Sequence, residues 1–511
     1  MIKKIKIITT LALTTFFFAS EFVIANDGNE PPRNPFLADS AWPMSHRTSY
    51  VQGSSPLPGP ESEEELGRSL YKNTGLVNIT IAMSAPYEDG TIMAWGSSAD
   101  KVYKAKVTSE DLEIIDSLNK PGSFSIANGI SGAYTLLDVD NTFFVPKEGA
   151  LLAYGDITAG NSLSNIELKR TFEMPSEILR GDASNDPIVG INMIYDGWIA
   201  IATKRGTIAV ISRDFMNFEY VQLGDNEEGE EVSNSIAVDE DGGIYVVTAK
   251  KMHRVQWTGS SLSTDSSTGA WSAEYEEGAD VQVPGRLGAG SGSTPSLMGV
   301  GDQDKFVVIT DGQKVANLVL FWRDEIPVGW QPIAPGKDIR IAAELPINYG
   351  DPEREYSMSE QSVLVRGYGA AVVSNDYGFT FPNLGESTLS NLLNAVVVFY
   401  SNLGFISPYG VQKFEWNPIS KTLEVAWSNT DISCPNGIPT MSAESNLMYC
   451  IGQRKSVWNV EALDWDTGES VFHKSTSAWF TRNSFYAATQ IGPNGGIWSG
   501  SISGLYQIPM K

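Results

Sequence analysis

Histidine is the one side chain whose ordinary pKa lets it shuttle protons near neutrality, and this chain has three, at positions 46, 253 and 473. They are scattered, with no His-Glu-x-x-His, no Cys-x-x-Cys and no other ligand set spaced for zinc or non-haem iron. His46, in "WPMSHRTSYVQ", is the weak candidate for a general base, should its segment pass over the mouth of a site. The competing expectation is a partly exposed residue in a strap that fastens the start of the chain to a larger body. His253 and His473 read as packing or surface residues. No Gly-x-Ser-x-Gly elbow occurs, and Ser293 and Thr294 in "GAGSGSTPS" have no evident base partner. Four asparagines recur in loops leading into strands: Asn128 in "ANGIS", Asn234 in "SNSIAV", Asn436 in "PNGIP" and Asn483 in "TRNSF". Gathered at one opening with a carboxylate or two, their carbonyls would suit calcium, which takes six to eight oxygens. Asn128, Asn234, Thr294, Asn436 and Asn483 are therefore the expected ligand-binding set, with Asn234 and Asn436 as metal candidates. Asparagine also caps its own backbone where a loop turns into a strand, so a purely structural role competes.

The elements that must position these residues read as β-structure. The chain has 48 glycines, 26 prolines and 13 tryptophans. "NSIAVDEDGGIYVVTAKKMHRVQW" (234–257) shows the unit: a short apolar strand, a turn at Asp241-Gly242, and a strand rich in Val, Ile and Tyr. The cadence recurs at 79–107, 133–156, 191–214, 294–312, 362–376, 439–454 and 484–508. Eight such units, roughly 45 to 75 residues apart, match the period of four-stranded propeller blades. An all-β, single β-propeller is expected, with eight blades, or seven as the alternative. The last unit stops after three strands, so the ring needs an outer strand from elsewhere, and "LGRSLYK" (66–72) is the available donor. Residues 26–75 are then the N-terminal strap and closing strand, and 76–511 the propeller. "STLSNLLNAVVVFYSNLG" (387–404) lacks period-two alternation and is expected to be a helical insertion.

Lys3, Lys4 and Lys6 precede the apolar run "IITTLALTTFFFA", so residues 1–25 read as a signal peptide, cut after Ala25. An exported chain, periplasmic or secreted and without a membrane span, is expected. Its two cysteines, Cys434 and Cys450, are expected to form a disulfide. Loss of the leader takes the formal charge from −25 to −27, which repels nucleic acid and anionic membrane surfaces. Neutral or cationic small ligands, or an exported protein partner, fit better, and the chain is expected to be a monomer.

"VEALDWDTGESVF" (460–472) resembles the repeat of quinoprotein-like propellers, and "DSSTGAW" (265–271) is a partial second copy. That resemblance implies pyrroloquinoline quinone held over the axis with calcium, and oxidation of an alcohol or sugar; the same superfamily includes cofactor-free scaffolds. The chain has no adjacent cysteine pair of the kind found in many of the alcohol-oxidising members. "SNSIAVDEDGGIYVV" (233–247) resembles gluconolactonase and strictosidine-synthase-like propellers, which implies a lactonase- or esterase-like hydrolase with Asn234 reaching the axial ion. Enzyme and interaction scaffold both stand on these residues.

Overall fold

The computed structural model describes residues 28–511 except 79, 123–132, 225–228, 279–284, 287, 289, 379–392, 394 and 395. The expected leader and Asn128 lie outside the described residues, as do 387–392, 394 and 395 of the stretch 387–404, of which 396–399 are helical. Eight antiparallel sheets follow one another along the chain. Their first strands are Thr80–Met83, Leu136–Leu137, Ile188–Met193, Ala237–Val238, Ser296–Met298, Leu364–Arg366, Thr440–Ser442 and Gln490–Ile491. We number the sheets blades 1 to 8 in that order. Each first strand is wholly buried, as is nearly all of the second; the outermost strands, such as Phe218–Gln222, are largely exposed.

The turns within each blade follow the chemistry anticipated from sequence. In blade 4 the Asp239 carboxylate accepts from the backbone amides of Asp241 at 3.0 Å and Gly243 at 2.7 Å, while Gly242 takes a φ of +81°. In blade 7 Asp464 accepts from the amides of Asp466 and Thr467. Trp427 of blade 6 lies against Gly468 so closely that a Cβ there would overlap the indole ring, and its Nε1 donates to Trp465 O at 2.9 Å. The Asp-Thr-Gly repeat is thus an inter-blade clamp.

Packing closes the ring. Every adjacent pair of blades shares an apolar core, from Trp95 with Phe143 between blades 1 and 2 round to Trp498 and Leu505 against Ile81 and Tyr103 between blades 8 and 1. Blade 8 lacks its own fourth strand; Leu70–Asn73 supplies it, paired antiparallel with Gly504–Ile508. The protein is an eight-bladed β-propeller closed by its N-terminal segment. Among the described residues no helix is long and apolar enough to cross a membrane.

Candidate ligand site in the upper bore

The N-terminal strap does more than cross the rim: it winds around the inside of the bore. Trp42 O accepts from Met83 N in blade 1, Ser45 N donates to Thr135 O in blade 2, and Ser49 O accepts from Val238 N in blade 4. Tyr50 O then accepts from Leu297 N in blade 5, Gln52 O from Val365 N in blade 6, and Ser54–Ser55 runs parallel to blade 7 at Met441 and Ser442. The strap also meets the turns between first and second strands, as where the Tyr50 hydroxyl donates to Glu240. We call that end lower. Ion pairs from Glu30 to Arg47 and Arg366 fix the strap there.

The upper end is lined by the loops that lead into the first strands, where the asparagines were expected. Asn234 is buried and its side-chain amide donates to Ser291 O at 2.9 Å; the Thr294 hydroxyl accepts from Ser235 N at 3.2 Å. These two residues couple blades 4 and 5. Asn436 and Asn483 couple blades 7 and 8 in a different way: both side-chain amides donate to Val398 O, at 3.3 and 2.7 Å, and Asn483 also reaches Phe399 O at 3.1 Å. Their nitrogens pin the short helix at 396–399 over the opening. The Asn436 Oδ1 is buried without a hydrogen-bond partner among the described residues. The four described candidates therefore form two pairs, and Val398 O joins the second through the two side-chain nitrogens.

His46 departs from the partly exposed strap residue expected. It is 3% exposed, its ring centroid 5.5 Å from that of Tyr134, and its Nε2 has no hydrogen-bond partner among the described residues. Burial lowers its pKa to about 4, so the imidazole is neutral at pH 7. The reason for the miss is the strap's route through the bore. Tyr134, leading into blade 2, has its hydroxyl beside Thr294 of blade 5 and the backbone of Ser235 ahead of blade 4.

Sequence reasoning passed over several residues here. Glu360, leading into blade 6, is buried, with its backbone amide donating to Asn375 Oδ1 at 2.7 Å. Its carboxylate lies so near Gly292 that a Cβ there would stand 2.8 Å from Oε1, which is why that position is glycine. The Tyr486 hydroxyl donates to Gly285 O at 3.0 Å, and burial followed by the charges of Tyr377 and Glu360 raises its pKa. Phe485 and Tyr486 hold φ values of +46° and +67°, a strained pair of bulky residues at the mouth. Gln361 is buried with neither amide atom partnered among the described residues. The usable signal was position: a polar residue just ahead of a buried first strand faces the bore.

Elsewhere a cleft of about 840 Å³ lies between blades 4 and 5 at the lower end. Its cations are already engaged, Arg254 with Gly269 O at 2.7 Å and Arg340 over the Trp271 ring at 4.5 Å. Cys434 and Cys450 form the expected disulfide, within the core between blades 6 and 7.

No family model matches the chain. An uncharacterized protein of Archaeoglobus fulgidus is 46% identical over 481 residues, 94% of this chain and 89% of the relative. Among solved structures, a quinohemoprotein alcohol dehydrogenase of Pseudomonas putida HK5 aligns with a TM-score of 0.53 at 12% identity, covering 92% of this chain and 80% of that one. The quinohemoprotein alcohol dehydrogenase of Comamonas testosteroni gives 0.54 at 13%, over 93% and 81%. A europium-containing methanol dehydrogenase gives 0.53 at 12%, over 91% and 90%. The likeness to these three is one of fold.

Proposed function

The chain belongs to the family of the Archaeoglobus fulgidus protein, and we propose that its quinoprotein-like ring holds a small, neutral, polar solute in the upper bore. One observation carries this reading. His46 Nε2, Thr135 Oγ1, both amide atoms of Gln361, Asn436 Oδ1, Ser484 Oγ and Thr489 Oγ1 are all buried without a hydrogen-bond partner among the described residues. A buried polar group left unmade costs about 1–3 kcal/mol, so a dry bore would carry a large penalty. Water or a hydroxyl- or amide-bearing solute would offset it. The donors and acceptors are neutral, which favours an uncharged ligand over an anion. His46, neutral at pH 7, would accept or donate one such hydrogen bond. The leader-like residues 1–25 and the disulfide support an exported location.

Thermal shift with a panel of polyols, sugars and lactones tests the site. A ligand at about 100 times its Kd stabilises the fold by about 2.7 kcal/mol. Gln361→Leu should abolish that shift while leaving the ligand-free protein as stable or more so, because it removes an unpaired amide. A panel without any stabilising solute refutes the reading.

The shared fold favours a second reading, oxidation of an alcohol or sugar by pyrroloquinoline quinone with calcium. The residues fit that group poorly. Among the described residues no three His, Cys, Asp or Glu side chains come together, and the two cysteines are bonded to each other. The Asn436 and Asn483 nitrogens are committed to Val398 O, which leaves Asn436 Oδ1 as the plainest oxygen for calcium. Dye reduction after incubation with the quinone and calcium, across alcohols and sugars, tests it; no turnover ends it.

A further inference from the structure

The rim of the upper face carries apolar side chains that the ligand site does not use. Phe405 is 85% exposed and Trp479 72%, and Tyr400, Val396 and Phe480 are also exposed. They come from two loops far apart in sequence. Asn402 joins them, its side-chain amide donating to Ser456 O at 2.7 Å and Ala478 O at 3.3 Å, and Phe399 packs at 6.4 Å from Phe480. Apolar groups clustered this way on a soluble surface mark a contact surface.

Charge narrows the partner. Residues 396–409 carry no charged side chain, and 475–489 carry a single one, Arg482. This is a chain with 61 acidic residues in 511, so two neighbouring segments of this length without a carboxylate stand out, although Asp376 and Glu386 lie earlier in the sequence leading to the first. Lys455 sits beside Ser456, whose hydroxyl accepts from Gly404 N at 3.2 Å, so a basic residue flanks the patch. Shape narrows it further. Side chains as exposed as Phe405 and Trp479 project from loop tips and do not line a groove, which suits insertion into a soft medium. Trp, Tyr and Phe with flanking cations are the side chains that settle at the headgroup level of a bilayer.

We propose that this rim docks on a membrane surface by inserting Phe405 and Trp479 into the interface, with zwitterionic lipid as the partner. The upper mouth then faces the bilayer, and the protein is peripheral. The −27 charge of the chain without its leader disfavours anionic lipid and leaves apolar insertion as the driving contact.

Flotation of the purified protein with phosphatidylcholine vesicles tests the proposal without reference to any ligand in the bore. The wild type should float with the vesicles. Phe405→Ser and Trp479→Ser should each weaken partitioning roughly tenfold, and together abolish it, as expected for losing a large apolar group from the interface. Val328→Ser and Ile419→Ser, equally exposed but on lower-end hairpins, should float like the wild type. Unchanged melting temperatures establish that the variants are folded. Failure of the wild type to float, flotation unaffected by both upper-rim substitutions, or tighter binding to anionic vesicles would each overturn the proposal.

Discussion

Acidification should destabilise the ring through His46, by an amount the geometry allows to be worked out. The buried imidazole has a folded pKa of about 4 against 6.5 when exposed, because burial disfavours its charged form. A group whose folded pKa is depressed binds its proton more readily in the unfolded chain. Its contribution to stability is complete above pH 6.5 and is lost as pH falls towards 4. The linkage relation puts the loss at about 2 kcal/mol at pH 5 and about 3 kcal/mol at pH 4. Unfolding entropy near 2.1 cal/mol/K per residue makes 1 kcal/mol worth about 1 °C in a chain of this size, so the expected shift is about 3 °C. Asp311 works in the opposite sense. Burial raises its pKa to about 6, so its carboxyl favours the fold at low pH and opposes it as pH rises through 6. Comparing the wild type with His46→Gln removes that contribution, since both proteins keep Asp311. Melting temperatures of the two, measured from pH 7.5 to 4, should diverge only below pH 6.5, with the wild type losing about 3 °C relative to the variant. Proton resonances of the three histidines give an independent readout, in which one ring should titrate near pH 4. Parallel melting curves, or a His46 midpoint near 6.5, would refute the claim that this ring is sealed in the bore.

Reducing the Cys434–Cys450 bridge, which closes a loop of 16 residues, should cost about 3 kcal/mol on a chain-entropy account, read as a lower melting temperature in reductant. Trp42→Ala should cost about 3–5 kcal/mol in denaturant unfolding, because the indole is 1% exposed in the core that joins blades 8 and 1. Asn483→Ala removes two hydrogen bonds to the carbonyls of Val398 and Phe399, so limited proteolysis should cut near 396–405 sooner than in the wild type.

The blades were legible because each repeats a local rule: alternating strand residues punctuated by an Asp or Asn turn whose glycine takes positive φ. The missing fourth strand was legible as arithmetic, since three strands at the C-terminus require a donor and "LGRSLYK" could pair. The route of residues 36–55 was not. A strap that touches a different blade every one to five residues has no period, so "WPMSHRTSYVQGSS" reads as irregular although its backbone is hydrogen-bonded almost throughout. His46 shared that fate, as its burial comes from the strap's route through the bore, which sets its ring beside Tyr134. The asparagines show a subtler limit. Sequence put Asn436 and Asn483 in the right loops, but their partner is Val398, some 38 and 85 residues away on an insertion whose own pattern names no contact.

One N-terminal segment serves both ring and bore: Leu70–Asn73 completes blade 8, and the residues before it hydrogen-bond inside the bore and occupy its lower end. A solute in the bore must therefore arrive from above, past the helix at 396–399 and the strained pair Phe485 and Tyr486. The same insertion carries Tyr400 and Phe405 on its outer side. Docking of that side and opening of the mouth would then be mechanically linked, since Val398, the anchor for Asn436 and Asn483, lies two residues from Tyr400. A ligand-induced stabilisation that grows in the presence of phosphatidylcholine vesicles would be the signature of that linkage, and one indifferent to vesicles would separate the two surfaces.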